Sequence, residues 1–561
     1  MNAASRKSYA VVSVALLCCG AACQDSQEGT ALKARPRFDS QALHAQAVEE
    51  SLVPVRPGVP GKSPFWNVGS TRFIYAPAFD FQPVQGAAAY CFTAVPEPEG
   101  REYVFQAAEP WALLTPAWKD LPVGYVSLEV EALDSSGNSL GSAGTRRFYR
   151  AAPFDGPYGE PVRDYRECAR LGLKFLFGHD ILRNWLTHGR PDPRYSLYCY
   201  PSKMIAAVIG GMLLYAEIAP EDKHEALQIA GNAAEYLIGV SEPAGAPLEF
   251  FPPTYDSTHI DTAVLYQNDI DWEWARMTAG KFHGQVMLIY PASVANAYLD
   301  LFDATGDSSL LRAAERIADT YARVQLPDGN WHLKIYTSTG APVVDNHARL
   351  AQIVPLLERL QDNYHIDKYG RTLALARPLL EARAADFNFE GQFEDIEPSR
   401  AYLNLAHGTA VEIARKLLEE ADRDPGNTAR AEELLRFAED QFVIWERPIP
   451  VPRTGEDGRS EDWITPCALE QYECYCPVDA SAAGFISIFR QAYQATGKEL
   501  YLAKAVSLAN TMTRVQDPQT GYLPTWWEKN TLDKFGWINC GIYDARVMWE
   551  FGTFMDGLEA K

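Results

Sequence analysis

Positive charge is scarce in this sequence. Its 561 residues include 51 Lys and Arg against 73 Asp and Glu, which gives a formal net charge of −22 at pH 7. Proteins that bind nucleic acids concentrate Lys and Arg on the surface that meets the phosphates, so the acidic balance argues against such a partner. It does not exclude an anionic sugar, because a local pocket of cationic side chains can act within an acidic protein.

Long apolar runs are lacking beyond the first residues. Arg6 and Lys7 precede an apolar run over 9–17, and the small residues 20–22 precede Cys23. This order predicts an export signal over 1–23, and it resembles a bacterial lipoprotein signal in which Cys23 is lipidated. Plain secretion is the alternative. No later run reaches the roughly 20 residues of a membrane span, so we expect membrane contact through a lipid anchor only, facing the periplasm or cell surface.

Cysteine is also sparse. An odd number in an exported chain leaves at least one thiol unpaired. The seven that follow the signal are Cys91, Cys168, Cys199, Cys467, Cys474, Cys476 and Cys540. Five of them, Cys199 and those from Cys467 onward, could together form a thiolate metal site. Their spacing matches no zinc pattern, so disulfides or buried thiols are favoured. We predict neither a metal nor another cofactor.

Apolar residues are plentiful, at 47% of the chain, and 12% are aromatic, which excludes a disordered chain. The length allows a large core plus a smaller domain. Residues 24–62 are polar and end in a Pro-rich stretch, which predicts a flexible tether. Over 63–152, short alternating runs and a turn at 135–138 resemble a fibronectin type III β-sandwich. The predicted strands are 72–75, 90–95, 126–132 and 147–149.

A repeated helical hairpin organises the rest of the chain. Residues 290–331 recur about 190 residues later, so that Thr305-Gly306 corresponds to Thr496-Gly497. Each copy has the pattern of a helix, a tight turn and a second helix. One hairpin cannot bury its apolar face alone, so the repetition predicts stacked hairpins around one core.

Residues 159–561 carry twelve predicted helices whose connections alternate between short and long. Six hairpins with every long loop at one end predict an (α/α)6 toroid, and hence a mostly α fold preceded by the small β-sandwich. The predicted helices are 161–177, 201–218, 221–239, 285–304, 307–325, 346–361, 366–384, 400–421, 428–444, 479–496, 498–515 and 540–556. The inner helices would begin at the loop end, here called the mouth, where their N-terminal dipoles favour an anion. Their predicted first residues are Pro201, Gln285, Asn346, Arg400, Asp479 and Cys540.

The long mouth loops are rich in aromatic residues, whose flat faces stack on sugar rings. The alternative is that each ring packs its loop onto the barrel. The candidates for stacking on substrate are Trp272, Trp274, Trp331, Tyr475, Trp526 and Trp527. Further aromatic residues of these loops are Trp185, Tyr195, Tyr198, Tyr336, Trp463 and Trp537.

Carboxylates accompany these aromatics. Glycoside hydrolysis needs a carboxylic acid that protonates the leaving oxygen, and usually a second carboxylate that activates water or attacks. We select Asp345, Asp479 and Glu473 as catalytic candidates, with His347 as a general acid or base. Asp479 is also a plausible helix cap. The surplus of neighbouring carboxylates comprises Asp269, Asp271, Glu273, Glu528 and Asp544.

Cationic and imidazole groups stand in the same loops. A site for a sugar carboxylate uses Arg or Lys together with Tyr or His donors. The substrate-binding candidates of this kind are His332, Lys334, Arg349 and Arg546. Lys203, His283, Arg400 and His407 lie at the same predicted mouth, and each is equally explained as an ordinary hydrogen-bonded residue.

Three short motifs carry a family resemblance: D-A-S-A-A at 479–483, A-T-G-D at 304–307 and L-P-D-G-N-W at 326–331. With them the hairpin domain resembles the (α/α)6 carbohydrate-active enzymes, above all the unsaturated glucuronyl and rhamnogalacturonyl hydrolases. In the glucuronyl hydrolases an Asp that activates water lies about six residues before a Pro on an inner helix. Before Pro291 this chain has Gln285, which argues against hydration of a vinyl ether. Among the activities of these families, an ordinary glycosidase of the β-glucuronidase type is then the expected one.

These features predict an exported glycoside hydrolase that acts on uronic-acid-containing glycans with carboxylates at the toroid mouth. The same fold leaves open a polysaccharide lyase or a uronyl epimerase. A glycan-binding surface lipoprotein without catalysis is the third alternative.

Overall fold

The N-terminal part of the chain forms a helix and one sheet. A computed structural model describes residues 37–55, 70–98, 100–261, 263, 276, 278–386, 406–446, 462–472 and 476–559. Helix α1 (Ser40–Ser51) lies inside the predicted tether and buries Leu43 and Ala47. The sheet has the order β1-β5-β4-β2-β3, with β1 parallel to β5 and the other pairs antiparallel. Its strands are β1 (Arg72–Phe73), β2 (Ala89–Pro96), β3 (Tyr103–Ala107), β4 (Gly124–Leu133) and β5 (Ser139–Arg150).

This single sheet corrects the predicted two-sheet sandwich for the described residues. Side chains on β2 and β4 alternate between buried and partly exposed, which explains why the strands were recognisable in the sequence. The buried face is covered by loop and helix side chains instead of a second sheet. Trp118, on the short helix α2 (Thr115–Trp118), stacks on Phe148 with ring centroids 5.9 Å apart, and Phe79 lies 5.5 Å from the same ring.

The remaining helices form the toroid. In chain order they are α3 (Tyr165–Gly178), α4 (Asp180–His188), α5 (Pro201–Ile218), α6 (Lys223–Val240), α7 (Tyr290–Thr305), α8 (Ser308–Val324), α9 (Leu350–Tyr364), α10 (Gly370–Asp386), α11 (His407–Glu419), α12 (Pro425–Phe442), α13 (Asp479–Thr496), α14 (Glu499–Val515) and α15 (Ile538–Glu559). Short strand pairs stand in the loops between them: β6 (Gln285–Met287) with β7 (Lys334–Tyr336), and β8 (Val443–Ile444) with β9 (Cys467–Ala468).

Six of these helices form a closed inner ring. Helix α5 packs on α7, α7 on α9, α9 on α11, α11 on α13, α13 on α15, and α15 on α5. Each inner helix has one outer partner, in the pairs α5–α6, α7–α8, α9–α10, α11–α12, α13–α14 and α15–α3. The remaining helix of this region, α4, packs on α6 and is not part of the six pairs. The predicted (α/α)6 toroid is thereby confirmed.

The repeated Thr-Gly turns end two inner helices. Gly306 and Gly497 follow α7 and α13 with φ of 75° and 70°, the left-handed conformation in which glycine carries no Cβ penalty. In the first copy, Asp307 then caps α8 by accepting a hydrogen bond from the Ser309 amide. Local signals of this kind explain why the bounds predicted for α5 and α13 agree with the structure.

Helix starts were wrong where distant pairing decides the backbone. Gln285 was predicted to begin an inner helix, but it lies in β6 and pairs with Tyr336 of β7, and α7 begins only at Tyr290. Asn346 lies in a loop, and α9 begins at Leu350. Arg400 lies outside the described residues, in which α11 begins at His407.

Buried ion pairs and hydrogen bonds join the N-terminal part to the toroid. Asp440 of α12 accepts hydrogen bonds from the backbone amides of Ile74 and Tyr75, at 2.5 and 2.9 Å. Glu439 pairs with Lys504 of α14 at 2.7 Å, with side chains only 2% and 1% exposed. We call Glu439, Asp440 and Lys504 the junction cluster. Lys504 also lies 3.6 Å from Glu50 of α1. Residues 35–561 accordingly form one compact unit.

One described helix, α5, is long and apolar enough to cross a membrane. It belongs to the inner ring, and 72% of its apolar window is buried within the protein. Its all-round apolar character is explained by packing against α6 on the outside and α7 and α15 on either side.

Candidate functional site

A cavity of about 610 Å³ lies at the centre of the ring, and all six inner helices contribute to its wall. The first turns of the inner helices supply residues such as Lys203, Tyr290, His407, Ser481 and Cys540. All six helices therefore begin at one end, as the alternation of short and long connections predicted. Deeper residues come from one face of each helix; on α11 they are Gly408, Val411, Glu412 and Arg415, at helical spacing.

Charged groups on the cavity wall are more often cationic than anionic. The cations are Lys203, Arg349, Arg415 and Arg546, and the carboxylates are Glu412, Glu470 and Glu550. Four against three gives a local excess of positive charge in a chain whose net charge is −22. Arg349 and Arg546 were among the predicted substrate-binding residues, and the structure brings them to the same cavity.

Glu412 holds a central position on the wall. Its Oε1 lies 3.5 Å from Nη1 of Arg349 and accepts a hydrogen bond of 2.9 Å from Nε2 of Gln352. Its Oε2 is buried and has no hydrogen-bond partner among the described residues. A buried carboxylate oxygen normally has a hydrogen-bond donor, so Oε2 is an unmet acceptor beside the cavity that a ligand hydroxyl can satisfy once the carboxylate rotates toward it.

His407 begins α11 as an uncharged imidazole. Its Nδ1 lies 3.1 Å from the backbone oxygen of Glu470, so Nδ1 carries the proton and Nε2 is the free base. Burial lowers the pKa of His407 from 6.5 to about 4, and Arg349 adds to that shift. Gly484 of α13 leaves room for the ring, because a Cβ there would lie 3.4 Å from Nε2.

Three further polar groups on the inner wall are Arg415, Tyr543 and Arg546. Arg415 donates a hydrogen bond of 3.1 Å to Oγ of Ser487 across the α11–α13 contact. Burial raises the pKa of Tyr543, so its hydroxyl stays protonated and can donate a hydrogen bond into the cavity. Gly210 of α5 makes space for Arg546, whose Nη2 would lie 2.7 Å from an added Cβ.

The candidate Asp479 lies behind the wall. It begins α13 with 1% exposure, and its Oδ1 accepts a hydrogen bond from the Ala480 amide. Its neighbours Val478, Ala480 and Ser481 line the cavity, but Asp479 itself does not. The carboxyl of Asp479 contacts that of Asp544, which is fully buried on α15. The helix-capping interpretation therefore describes the position of Asp479 better than direct contact with substrate.

The candidates Asp345 and His347 form a separate cluster in the loop before α9. His347 faces His332 across a short antiparallel bridge, and Asp345 is exposed. Burial and the charge of Arg383 on α10 lower the pKa of His347. None of the three loop residues lies on the wall of the central cavity, although Arg349, two residues after His347, does.

Most of the described mouth aromatics pack inside the protein. Six of them are between 0 and 2% exposed: Trp185, Tyr195, Tyr198, Trp331, Trp463 and Trp527. Trp331, for example, donates a hydrogen bond from Nε1 to the backbone oxygen of Tyr321. Trp526 and Trp537 are partly exposed, and Lys203 Nζ lies 4.5 Å from the Trp537 ring centroid. The packing alternative therefore holds for the buried six.

Lys334, another predicted substrate-binding residue, is 1% exposed, with its Nζ 4.3 Å from the ring centroid of Phe282. Its side chain therefore packs inside the loop region and is not exposed to a substrate. Other predicted residues lie outside the described part of the chain: Cys23, Asp269, Asp271, Trp272, Glu273, Trp274, Arg400, Glu473, Cys474 and Tyr475.

Glu412, Arg415 and Tyr543 were missed in the sequence, and Glu470 with them. A signal existed on α11, where Gly408, Glu412 and Arg415 recur at helical spacing on one face after His407. Glu470 had no such signal, because it lies in a loop that meets α11 only through the fold. Within the described ranges, no group of three or more His, Cys, Asp or Glu side chains is arranged to hold a metal ion.

Comparison with solved structures finds likenesses of fold. A family 76 glycoside hydrolase from a bovine Bacteroides thetaiotaomicron strain is 10% identical, covers 83% of this chain and 93% of its own, and has a TM-score of 0.44. The cellobiose 2-epimerase of Spirochaeta thermophila is 13% identical over 70% and 98% of the two chains, with a TM-score of 0.48. An unsaturated glucuronyl hydrolase specific for heparin is 9% identical over 70% and 97%, with a TM-score of 0.41.

No protein-family model matches the sequence, and no curated protein matches it. The likeness to the solved structures is one of fold. At these identities and TM-scores it carries no argument about the reaction.

Proposed function

We propose that this protein hydrolyses a glycosidic bond in a glycan bound at the mouth of the central cavity. The observation that carries the proposal is the cavity itself, in which carboxylates, arginines, a tyrosine and a neutral histidine face one space of about 610 Å³. Sugar-binding sites need this density of donors and acceptors, because each ring presents several hydroxyls. The volume suits one or two sugar rings.

Glu412 and Glu470 are the carboxyl groups that the proposal places at the bond. Hydrolysis requires one carboxylic acid to protonate the leaving oxygen and a second carboxylate to activate water or to attack. Glu412 offers the unpaired Oε2 described above, and Glu470 lies at the mouth beside the first turn of α11. Among the described residues, these two are preferred to Asp345 and Asp479, which do not line the cavity, whereas Glu473 lies outside the described residues.

The cations support an acidic sugar as the substrate. Lys203 and three arginines stand on the wall, whereas the chain as a whole is strongly acidic. Guanidinium groups bind carboxylates in two-point contacts, and the dipoles of six helix N-termini add to the attraction. We therefore infer a uronic-acid-containing glycan, as a β-glucuronidase-like activity requires.

The decisive experiment is mass spectrometry, with ultraviolet absorbance, on products from a panel of uronic-acid-containing oligosaccharides and neutral counterparts. Hydrolysis predicts products whose summed mass exceeds the substrate by one water. Equal mass with a new conjugated alkene absorbance would point to elimination. Retained glycan binding without turnover would favour the glycan-binding alternative.

Paired variants test the assignment of the carboxyl groups. Glu412→Gln and Glu470→Gln should each lower kcat by about 100-fold or more, the usual effect of removing a general acid or base. Asp345→Asn is the matched control, because this carboxylate is exposed in a loop away from the cavity wall. A loss of activity in the control with retention in both glutamate variants would restore the sequence-based choice.

His407 and Tyr543 favour a second reaction on the same site. A neutral imidazole with a free Nε2 can abstract a proton next to a sugar carboxylate, and a tyrosine hydroxyl can return one. The outcome is β-elimination or C5 epimerisation. Incorporation of solvent deuterium at C5 without cleavage identifies epimerisation, and the absorbance measurement identifies elimination.

We also propose that the chain is exported and anchored through Cys23. The support is the order of basic, apolar and small residues before this cysteine. Labelling with radioactive palmitate should mark the wild-type chain and leave Cys23→Ser unlabelled. An unlabelled but exported wild type would indicate plain secretion.

A further inference from the structure

Two buried carboxyl groups meet behind the cavity wall. Asp479 stands at the start of α13, and Asp544 lies in the second turn of α15. They are 1% and 0% exposed, so neither is reached by bulk water. The two helices are neighbours in the inner ring, and both line the cavity with residues next to this pair: Ala480 and Ser481 on α13, Cys540 and Tyr543 on α15.

The oxygens of the pair lack ordinary donors. Asp479 Oδ1 accepts from its own Ala480 amide at 2.6 Å. Asp479 Oδ2 and both oxygens of Asp544 find no donor among the described residues, yet the two carboxyls are within hydrogen-bond contact of each other. Two ionised carboxylates offer acceptors alone, so this contact becomes a hydrogen bond when one proton lies between them.

The surroundings offer the pair little compensation for a second negative charge. The groups that face it are Cys540 and Tyr543 on α15 itself, Cys168 on α3, and Tyr522 and Glu470 from loops. Burial raises the pKa of each of these thiols and phenols. Lys203 of α5 faces Cys540. No ion pair to Asp479 or Asp544 occurs in the described ranges. Burial raises the pKa of Asp479, and raises that of Asp544 to about 8.

We propose that Asp479 and Asp544 share one proton and that this hydrogen bond positions the first turns of α13 and α15, and with them the cavity wall. Loss of the proton places two like charges in contact inside the protein, which pushes the helices apart. The pair is thus a positioning device with an alkaline limit. Its effect on turnover rests on the proposed function, but its protonation does not.

The first test is infrared spectroscopy of the full-length protein across pH. The wild type should show a carbonyl band of a protonated carboxylic acid that persists at neutral pH and is lost only in the alkaline range. The difference spectrum between wild type and Asp544→Asn should contain this band. Its absence at pH 7 overturns the proposal. Asp367→Asn, an exposed carboxylate near the start of α10, is the control and should leave the band unchanged.

The second test is thermal unfolding against pH. Each aspartate of the unfolded chain releases its proton near pH 3.8, whereas burial keeps at least one proton on the folded pair into the alkaline range. The wild type should therefore lose stability as pH rises above 3.8, and Asp544→Asn should show a smaller pH dependence, because one of the two groups no longer titrates. Asn can donate to Asp479 in place of the proton, so the variant should fold. If it does not, Asp479→Asn provides the same comparison, and an equal slope in wild type and a folded variant overturns the proposal.

Two alternatives to the proposal predict different results. In the first the pair binds a metal ion, and in the second its protonation does not affect the cavity wall. A rise in Tm on adding a divalent cation, abolished in Asp544→Asn, would mean that the pair binds a metal and would overturn the shared proton. If turnover is found, the alkaline limb of its pH profile should move to higher pH in Asp544→Asn while KM changes little. A limb that does not move overturns the positioning role but leaves the infrared result intact.

Discussion

The junction cluster and the cavity wall are both rich in charge, but they differ in how their charges are satisfied. At the junction, Lys504 and Glu439 are nearly inaccessible and lie 2.7 Å apart, and Glu439 also accepts hydrogen bonds from Tyr75 and Trp445. On the cavity wall, the Arg349–Glu412 pair is longer, at 3.5 Å, and Glu412 is 27% exposed, with its buried Oε2 unpaired among the described residues. A satisfied cluster fixes two parts of the fold, whereas an unpaired acceptor beside a cavity leaves a hydrogen bond for a ligand to make.

The buried aspartates of the two regions also differ in their hydrogen-bond donors. Asp440 at the junction accepts hydrogen bonds from two backbone amides and from Gln441, so donors compensate part of its burial, which still raises its pKa to about 7. Asp479 and Asp544 behind the cavity wall have each other in place of such donors. Similar burial therefore serves different ends, and the number of hydrogen-bond donors is what distinguishes them.

The largest effect is expected when the junction loses its cation. Lys504→Met should destabilise the protein by about 3–5 kcal/mol, because Glu439 is left as an uncompensated buried charge. Urea denaturation at pH 7 measures the change. A loss below about 1 kcal/mol would contradict the structural role given to this cluster.

The next largest effect is expected on substrate binding. If a substrate is found, Arg349→Met should raise KM by about tenfold or more, because a cavity guanidinium that contacts the sugar carboxylate is lost. Its free energy of unfolding should change less than that of Lys504→Met, because the carboxylate left behind, Glu412, is 27% exposed, whereas Glu439 is 2% exposed. Equal destabilisation by the two variants would remove the distinction between junction and wall.

A smaller, pH-dependent effect is expected at His407. Its folded pKa of about 4 lies below the ordinary 6.5, so the unfolded chain binds a proton that the folded chain does not over this window. Stability should therefore fall as pH decreases from 6.5 to 4, and His407→Asn should lack this component. Thermal unfolding at several pH values compares the two. Identical acid dependence would show that folding does not lower the pKa of His407.

The smallest effect is expected for an exposed pair. Lys529 and Asp462 lie 4.0 Å apart with side chains 58% and 53% exposed. Lys529→Met should change stability by no more than about 1 kcal/mol, because solvent screens the pair. It is measured beside Lys504→Met, for which it is the matched surface control.

Local patterns in the sequence predicted the helices well. The bounds of α5 and α13 agree because each has a clear start or end signal, Pro201 at one start and Gly497 at the other end. The start of α7 could not be predicted, because Gln285 is held in a strand by Tyr336, about 50 residues further along the chain. Helical periodicity carries no information about such pairings.

The candidate site was predicted less well. The inner helices and the cationic candidates Arg349 and Arg546 were placed at the cavity, because helix order alone brings their positions to one end. Asp479 was correctly placed at a helix start but not on the cavity wall, since which side of a helix faces the centre depends on packing. Trp331 and Trp527 illustrate the same limit, because the sequence around an aromatic loop residue is similar whether its ring is buried or exposed to substrate.

The sequence by itself determined the repeating hairpins, their number and the alternation of short and long loops, because these depend on contacts between residues near in the chain. The tertiary structure alone decided that the N-terminal sheet and α1 join the toroid through the junction cluster. It also decided that Glu412 and Glu470 face the cavity while Asp479 and Asp544 face each other. The physical reason is that burial and charge pairing are set by segments far apart in the chain, whose mutual orientation exists only once the ring has closed.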